Sequence, residues 1–415
     1  MESLARAITT CAFSLCGAAS FQEFVAIERR PVSSFIDLAS ARLHSPQLVD
    51  IYGEWRAQEV TDQTWIGRAG RENWVVLTKD DGIAVSRRRT RRIRWTRCEP
   101  GDCEGRDLSE SGIVIEVANA PVSFGVFELT EAAGDAPDPD ELAGAVAAAA
   151  YDGIDLGPVG YLGHEDIGGR LRRHGLSLAG GWVALRFPDP NGFEEDLGEL
   201  SLALDVFTAA AEIHPDNPPK PTLADAGSQL RRDNPGRGAD VPEIGLNDDG
   251  WKTLSRNVAR AADACRARGL EPTFHHHACT YVEASHEVER LLEETDIGLC
   301  LDSGHLVLGG GDPVDALRSW AERINHIHVK DCRLEVLRQV IEAGEGMEAV
   351  WQRGAFCELG TGDVDVEGFL AGVASFGYEG WIVVEQDTIP SADVTFEDIA
   401  AAQARNRQFL LTRGL

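Results

Sequence analysis

Six of the eleven histidines in this 415-residue chain sit at the ends of three short apolar runs. His275, His276 and His277 close EPTFHHH; His305 follows IGLCLD, which ends on Asp302; His326 and His328 lie in INHIHV, with Lys330 and Asp331 just behind. A fourth run, WIVVE, closes on Glu385 and is followed by Gln386 and Asp387. Imidazole nitrogen with carboxylate oxygen and no thiolate is a donor set for Mn²⁺, Co²⁺ or Zn²⁺, and nothing in the spacing selects among them. A lone histidine at such a position is ordinarily a hydrogen-bonded core residue. Neighbouring runs that offer His, Asp and His, with Glu from a fourth, point to a divalent metal instead. Side chains alternate along a strand, so His275 and His277 share a face, His276 takes the other, and only one parity can serve an ion. Cys279 and Cys300 read as packing residues.

Positioning these groups requires strands that all end on one side. From Ile113 onward, β-branched runs alternate with amphipathic stretches, the pattern of repeated βα units. Strands are expected at 113–118, 153–157, 176–185, 221–225, 271–277, 297–302, 324–329 and 381–385, with helices such as 249–268 and 312–322 between them. Eight units in some 300 residues predict an α/β fold, a (β/α)8 barrel, with its chemistry at the carboxyl ends of the strands. A doubly wound sheet would show fewer strands and a glycine-rich first turn, whereas the first strand here runs into NAPVSFG.

Residues 1–111 differ: they are Arg-rich and irregular, with a basic run from Arg87 to Arg97, and they end in the polar stretch CEPGDCEGRDLSESG. They are expected to be an amino-terminal extension of uncertain fold plus a linker, with residues 112–415 forming the barrel. Within the extension, NWVVLTKDDGI resembles part of a PIN-like nuclease; an extension without catalytic role is the stronger expectation.

The formal net charge of −29 repels phosphate backbones and anionic membrane surfaces, which argues against nucleic-acid and membrane partners. Nine cysteines without regular spacing read as reduced thiols, and the apolar stretch near the start lacks a signal peptide's basic flank, so a cytoplasmic protein is expected. Homo-oligomerisation is left open.

In order along the chain, NAPVSFGVFE, YDGIDLGPVGYL, FHHHACTYVE, LDSGHLVLGGGDP, INHIHVKD, FCELGTGDVD and GWIVVEQD resemble the inosose (2-keto-myo-inositol) dehydratases of inositol catabolism, within the xylose-isomerase-like TIM barrel superfamily. The resemblance spans roughly residues 113–412. It departs at Phe124, where Trp is common, at Cys279 in place of Gly, and at Ser303 in place of Thr.

The resemblance implies a divalent metal, Mn²⁺ or Co²⁺ with Zn²⁺ as a third choice, held by His275, Asp302, His328 and Glu385. Relatives carry a carboxylate at the first of these positions, and Glu283 is an alternative source of one. It further implies a small polyhydroxylated cyclic ketone as substrate and leaves room for glutathione as a cofactor. The reaction would be a hydro-lyase step: loss of a proton beside the ketone and departure of a hydroxyl, with the metal stabilising the enolate. His305 and Glu283 are the candidate base and acid, in unassigned order, and Lys330 joins them as a catalytic candidate. His277, His326, Asp331 and Gln386 are candidate substrate contacts. A ketose isomerase or epimerase would use the same parts, and a non-catalytic sugar-binding module is a further alternative. An abasic-site endonuclease, which shares the barrel, is disfavoured by the acidic surface.

Overall fold

The structure, a computed structural model, describes residues 115–127, 136–163, 166–389 and 394–415, together with four short strands in the first hundred residues. Of those four, Phe24–Ile27 pairs antiparallel with Val75–Thr78, and Ile83–Arg87 with Ile93–Arg97. The rest of the amino-terminal segment lies outside the described residues; of the stretch that carries the nuclease-like reading only Val75–Thr78 and Ile83 are described, and they do not test it. The chain divides into two units with the break between Gly112 and Ile113.

The larger unit is a (β/α)8 barrel. Its strands are β1 (Glu116–Asn119), β2 (Gly153–Ile154), β3 in two runs (Ser177–Leu178 and Gly180–Leu185), β4 (Lys220–Asp225), β5 (Thr273–His275), β6 (Gly298–Asp302), β7 (Ile324–Val329) and β8 (Trp381–Val384). All neighbouring pairs are parallel, and β1 pairs with β8, Glu116 opposite Trp381 through Asn119 opposite Val384. The cylinder closes at β3. Its first run pairs with β2 and its second with β4, while at the break Ala179 N–H donates to Ile154 O (3.0 Å) and Ala179 O accepts from Lys220 N–H (3.1 Å). Gly181 lets β3 approach β2 closely, because a Cβ there would lie 2.4 Å from Leu156 Cβ.

One outer helix follows each strand: α1 (Pro139–Ala148), α2 (Ile167–His174), α3 (Pro190–Ala211), α4 (Asp248–Ala267), α5 (Ser285–Glu294), α6 (Pro313–Trp320), α7 (Val366–Ser375) and α8 (Phe396–Leu411). Several start with the chemistry that a helix entry favours, an Asp or Asn side chain accepting the first free backbone N–H groups and proline in the first turn. Asp138, Asp189 and Asp312 cap α1, α3 and α6 in this way, and Asn247 caps α4. The largest insertion lies between β7 and α7: a two-residue ladder pairing Asp331–Cys332 with Phe356–Cys357, and the helices Leu334–Ala343 and Met347–Gln352.

Strand alternation sorts the core into two bodies. Val117, Phe274, Leu299, Leu301, Ile327, Val329, Ile382 and Val384 pack outward in the large cluster shared with the helices. Trp381 and Val383 form a separate inner cluster with Ala118, Ala120 and Ala179. The alternate residues of the same strands, Cys300 and Asp302, His326 and His328, and His275, therefore face the interior. Trp381 fills the lower barrel, fully buried, with its indole N–H on Asn217 O at 3.1 Å. No helix among the described residues is long and apolar enough to cross a membrane.

Candidate active site

The polar ends of β2, β5, β6, β7 and β8 meet at the upper mouth of the barrel. His275 Nε2 lies 3.4 Å from Asp302 Oδ2, the same oxygen lies 3.8 Å from His328 Nδ1, and that nitrogen lies 3.4 Å from Glu385 Oε2. Asp155, at the end of β2, adds Oδ2 at 3.9 Å from His328 Nε2. The four groups expected to share a metal are thus brought together, and Asp155 joins them.

Local structure aims each one. Asp302 caps the short helix Ser303–Leu308 by accepting His305 N–H on Oδ1 at 2.8 Å, which leaves Oδ2 for the cluster. His276, on the opposite parity, accepts Asp302 N–H on Nε2 at 3.2 Å and ties β5 to β6. Trp182, in β3, meets the His275 and His277 rings edge-on at centroid distances of 5.5 and 4.9 Å.

These donors fit a divalent metal. Metal bonds of about 2.1 Å place neighbouring donors of a tetrahedral ion about 3.4 Å apart. The successive separations from His275 to Asp302 (3.4 Å), Asp302 to His328 (3.8 Å) and His328 to Glu385 (3.4 Å) are near this value, while the groupings of three donor atoms within 4.8 Å of one another join His328 and Glu385 with Asp155, and His275 and Asp302 with His305. The buried His275 Nδ1 and both nitrogens of His328 make no hydrogen bond among the described residues, a costly state for imidazoles in a dry core. Burial pushes the Asp155 carboxyl up to about 7, His328 opposing and Glu385 adding to the shift. Burial works against charge on Glu385 too, but His328 and Lys330 hold it well below the usual carboxylate range.

Lys330 is the second focus. Its ammonium is 2.8 Å from Glu385 Oε2, 2.8 Å from Asp387 Oδ1, 2.9 Å from His305 Nε2 and 3.5 Å from Asp302 Oδ2. Burial opposes its charge, yet Asp302, Asp387 and Glu385 keep it protonated, well above the usual lysine range. Gly304 makes room for its chain, since a Cβ there would stand 2.8 Å from Lys330 Cγ. His305 has both nitrogens engaged, Nε2 by Lys330 and Nδ1 by a long contact with Ala278 N–H (3.5 Å), and burial among other imidazoles holds it neutral. His277 differs: it is partly exposed, Nδ1 donates to Ala278 O at 2.7 Å, and Nε2 has no hydrogen-bond partner among the described residues.

Other candidates are spoken for by the fold. Glu283 is fully buried with its carboxylate accepting Cys279 N–H (2.7 Å) and Gly238 N–H (3.2 Å), and it enters none of the metal-capable groupings. Asp331 is fully buried and accepts four backbone N–H groups, from Cys332 and Val364 on Oδ1 and from Gly360 and Gly362 on Oδ2. Both carboxylates staple loops, their oxygens engaged by backbone N–H groups. His326 lies one pleat below His328, fully buried, and is not part of the donor cluster. The Gln386 carbonyl accepts from Gln403 and Asn406 and fastens the end of β8 to α8.

Sequence reasoning missed Asp155 and Trp182 as site residues, and it placed Asp387 at the end of its run without giving it a role. Asp155 closes the run GID, so the rule that selected Asp302 and Glu385 would have found it. Cys300, read as packing, lies behind His275 and His328, and burial pushes its thiol up to about 11.

The sequence profile of the Xylose isomerase-like TIM barrel family matches residues 143–405. The chain is 30% identical over 277 residues to inosose dehydratase of Geobacillus kaustophilus (strain HTA426), covering 66% of this chain and 87% of that protein. It is 31% identical over 281 residues to the rhizopine catabolism protein MocC of Rhizobium meliloti, covering 67% and 83%. Among solved structures, the IOLI protein with a binding zinc atom superposes with a TM-score of 0.53 at 12% identity, over 72% of this chain and 99% of that one. D-allulose 3-epimerase from Methylomonas sp. gives 0.50 at 14%, over 73% and 99%. At these identities the structural likeness is one of fold.

Proposed function

Since the chain belongs to the Xylose isomerase-like TIM barrel family, we propose that it is a metal-dependent hydro-lyase that removes water from 2-keto-myo-inositol. Two relatives about 30% identical over most of their length, one of them named inosose dehydratase, support the substrate class. The observation that carries the chemistry is the convergence of His275, Asp302, His328 and Glu385 at the barrel mouth.

Those four residues would hold the metal, which when bound supplies Lewis-acid stabilisation of negative charge on the ketone oxygen. The chain's own groups do the rest. His277 Nε2, unshared and partly exposed, takes the proton from the carbon beside the ketone. The electron pair left behind expels the hydroxyl on the next carbon, and the His277 imidazolium returns its proton to that hydroxyl, so water and a conjugated ketone leave. Trp182, edge-on to His277, limits how far the ring can swing. His305 and Lys330 act as positioning residues: Lys330 fixes Glu385 and Asp387, and its contact with His305 Nε2 leaves that ring without a nitrogen for the substrate.

The test is direct. Purified protein is incubated with 2-keto-myo-inositol and Mn²⁺, Co²⁺ or Zn²⁺ in turn, and the conjugated product is followed in the ultraviolet. Absorbance that rises only with metal supports the reading. Solvent deuterium entering the α-carbon without absorbance would replace it with isomerase or epimerase chemistry, and no change with any metal would remove it.

A further inference from the structure

Beside the four-residue centre lies a second grouping with the character of a cation site. His277, His305 and Asp387 each place one donor atom within 4.8 Å of the other two. The ammonium of Lys330 lies against two of these three residues, at 2.9 Å from His305 and 2.8 Å from Asp387. It also touches Glu385 and Asp302 through the very oxygens, Oε2 and Oδ2, that face the first centre. Carboxylates shared in this way are what bridge paired ions about 3.5–4 Å apart in two-metal enzymes.

We propose that the Lys330 ammonium stands in for a second cation, filling the pocket of His277, His305 and Asp387 and keeping the neighbouring metal centre mononuclear. The proposal rests on the metal centre assigned above and deepens it.

Three features carry it. The first is ligand count: an ammonium has three N–H donors, and four side chains with lone pairs surround this one within 3.5 Å, a crowd suited to a metal and unusual for a lysine. The second is charge. Asp302, Glu385 and Asp387 all touch Lys330, and one divalent ion plus one ammonium neutralises three buried carboxylates. A second divalent ion beside the ammonium would leave the pocket with surplus positive charge, and one ion without the lysine would leave it negative; either excess is expensive in a buried site. The third is accommodation. Lys330 is 1% exposed, its chain passes over Gly304 where a Cβ would collide, and its ammonium sits 5.0 Å above the Phe356 ring. The fold therefore delivers this ammonium to a fixed point.

The consequence is functional. With Lys330 in the pocket, His277 keeps a lone pair for proton transfer; a second ion there would take that lone pair as a ligand.

The experiment is metal counting on the full chain. Wild type and Lys330→Met are loaded with Mn²⁺, dialysed and analysed for metal per chain, with electron paramagnetic resonance to tell isolated from paired ions. Expected are one isolated ion in wild type, two coupled ions in Lys330→Met, and a return to one when His277→Ala is added. Lys330→Gln is carried alongside in case Lys330→Met does not fold. Two ions in wild type would overturn the proposal, as would a single ion in whichever Lys330 variant folds. One ion in wild type and two in the variant, with no dehydration of 2-keto-myo-inositol by the wild type, would sustain the role of Lys330 while removing the substrate reading.

Discussion

Replacing Asp331 by Asn separates a loop staple from a substrate contact. The carboxylate receives Cys332 N–H at 2.8 Å and Val364 N–H at 3.1 Å on one oxygen, and Gly360 N–H and Gly362 N–H, both at 2.9 Å, on the other. Asn keeps one oxygen and turns an NH₂ toward the remaining pair, so two charge-assisted bonds are lost and two buried donors are opposed by a donor. At about 1.5–3 kcal/mol for each such bond, the cost is about 3–6 kcal/mol. In a barrel of this size that lowers Tm by about 6–10 °C. Urea unfolding of the metal-free protein gives the free energy, and hydrogen exchange gives its location: the amides of Gly360, Gly362 and Val364 should lose protection before those of β7 and β8. Turnover should fall as well, because Asp331 follows Lys330 directly and pairs across the ladder with Cys357, beside the Phe356 ring that the Lys330 ammonium overlies. Unchanged stability together with a raised KM would refute the reasoning and return Asp331 to the substrate.

His277→Gln should lower kcat by about 10²–10⁴ while metal content stays constant, as measured by steady-state kinetics and elemental analysis. A loss of metal in step with activity would instead make His277 a ligand. Asp225→Asn tests burial at the end of β4. Burial pushes the Asp225 carboxyl up to about 6 against the pull of Tyr281 N–H and Gly227 N–H, so the folded chain holds this proton to a higher pH than the unfolded one. Wild type should therefore lose stability relative to Asp225→Asn as pH climbs from about 4 to about 6, by about 3 kcal/mol in all, and the difference should be flat above that. Parallel denaturation curves across this range would show that the carboxyl ionises as freely folded as unfolded.

Eight strands were legible because β-branched runs end on polar residues, and the expected span 324–329 coincides with Ile324–Val329. Parity was legible for the same reason: INHIHV alternates, so His326 and His328 had to share a face. The expected run 271–277 shrinks to Thr273–His275, because beyond His275 the backbone turns and leaves the ladder. Roles were less legible than places. Nothing near Asp331 announces that its partners come from 360–364, and nothing near Glu283 announces Gly238; carboxylates whose acceptors are taken up by distant backbone look, in sequence, like free ones. His305 follows the same logic, its engagement depending on a lysine delivered by the next strand. Asp155 is the opposite case, a residue whose signal was present in GIDLG and local.

The seam between β1 and β8 joins residues 116–119 to residues 381–384. During synthesis on the ribosome, the emerging chain carries an unpaired β1 edge until almost the whole barrel has been made, an interval in which that edge invites mispairing. Glu385 arrives with the same final strand. The nascent chain thus cannot bring Glu385 to the other proposed ligands until the wall is complete, and cation capture there would report that the barrel has closed.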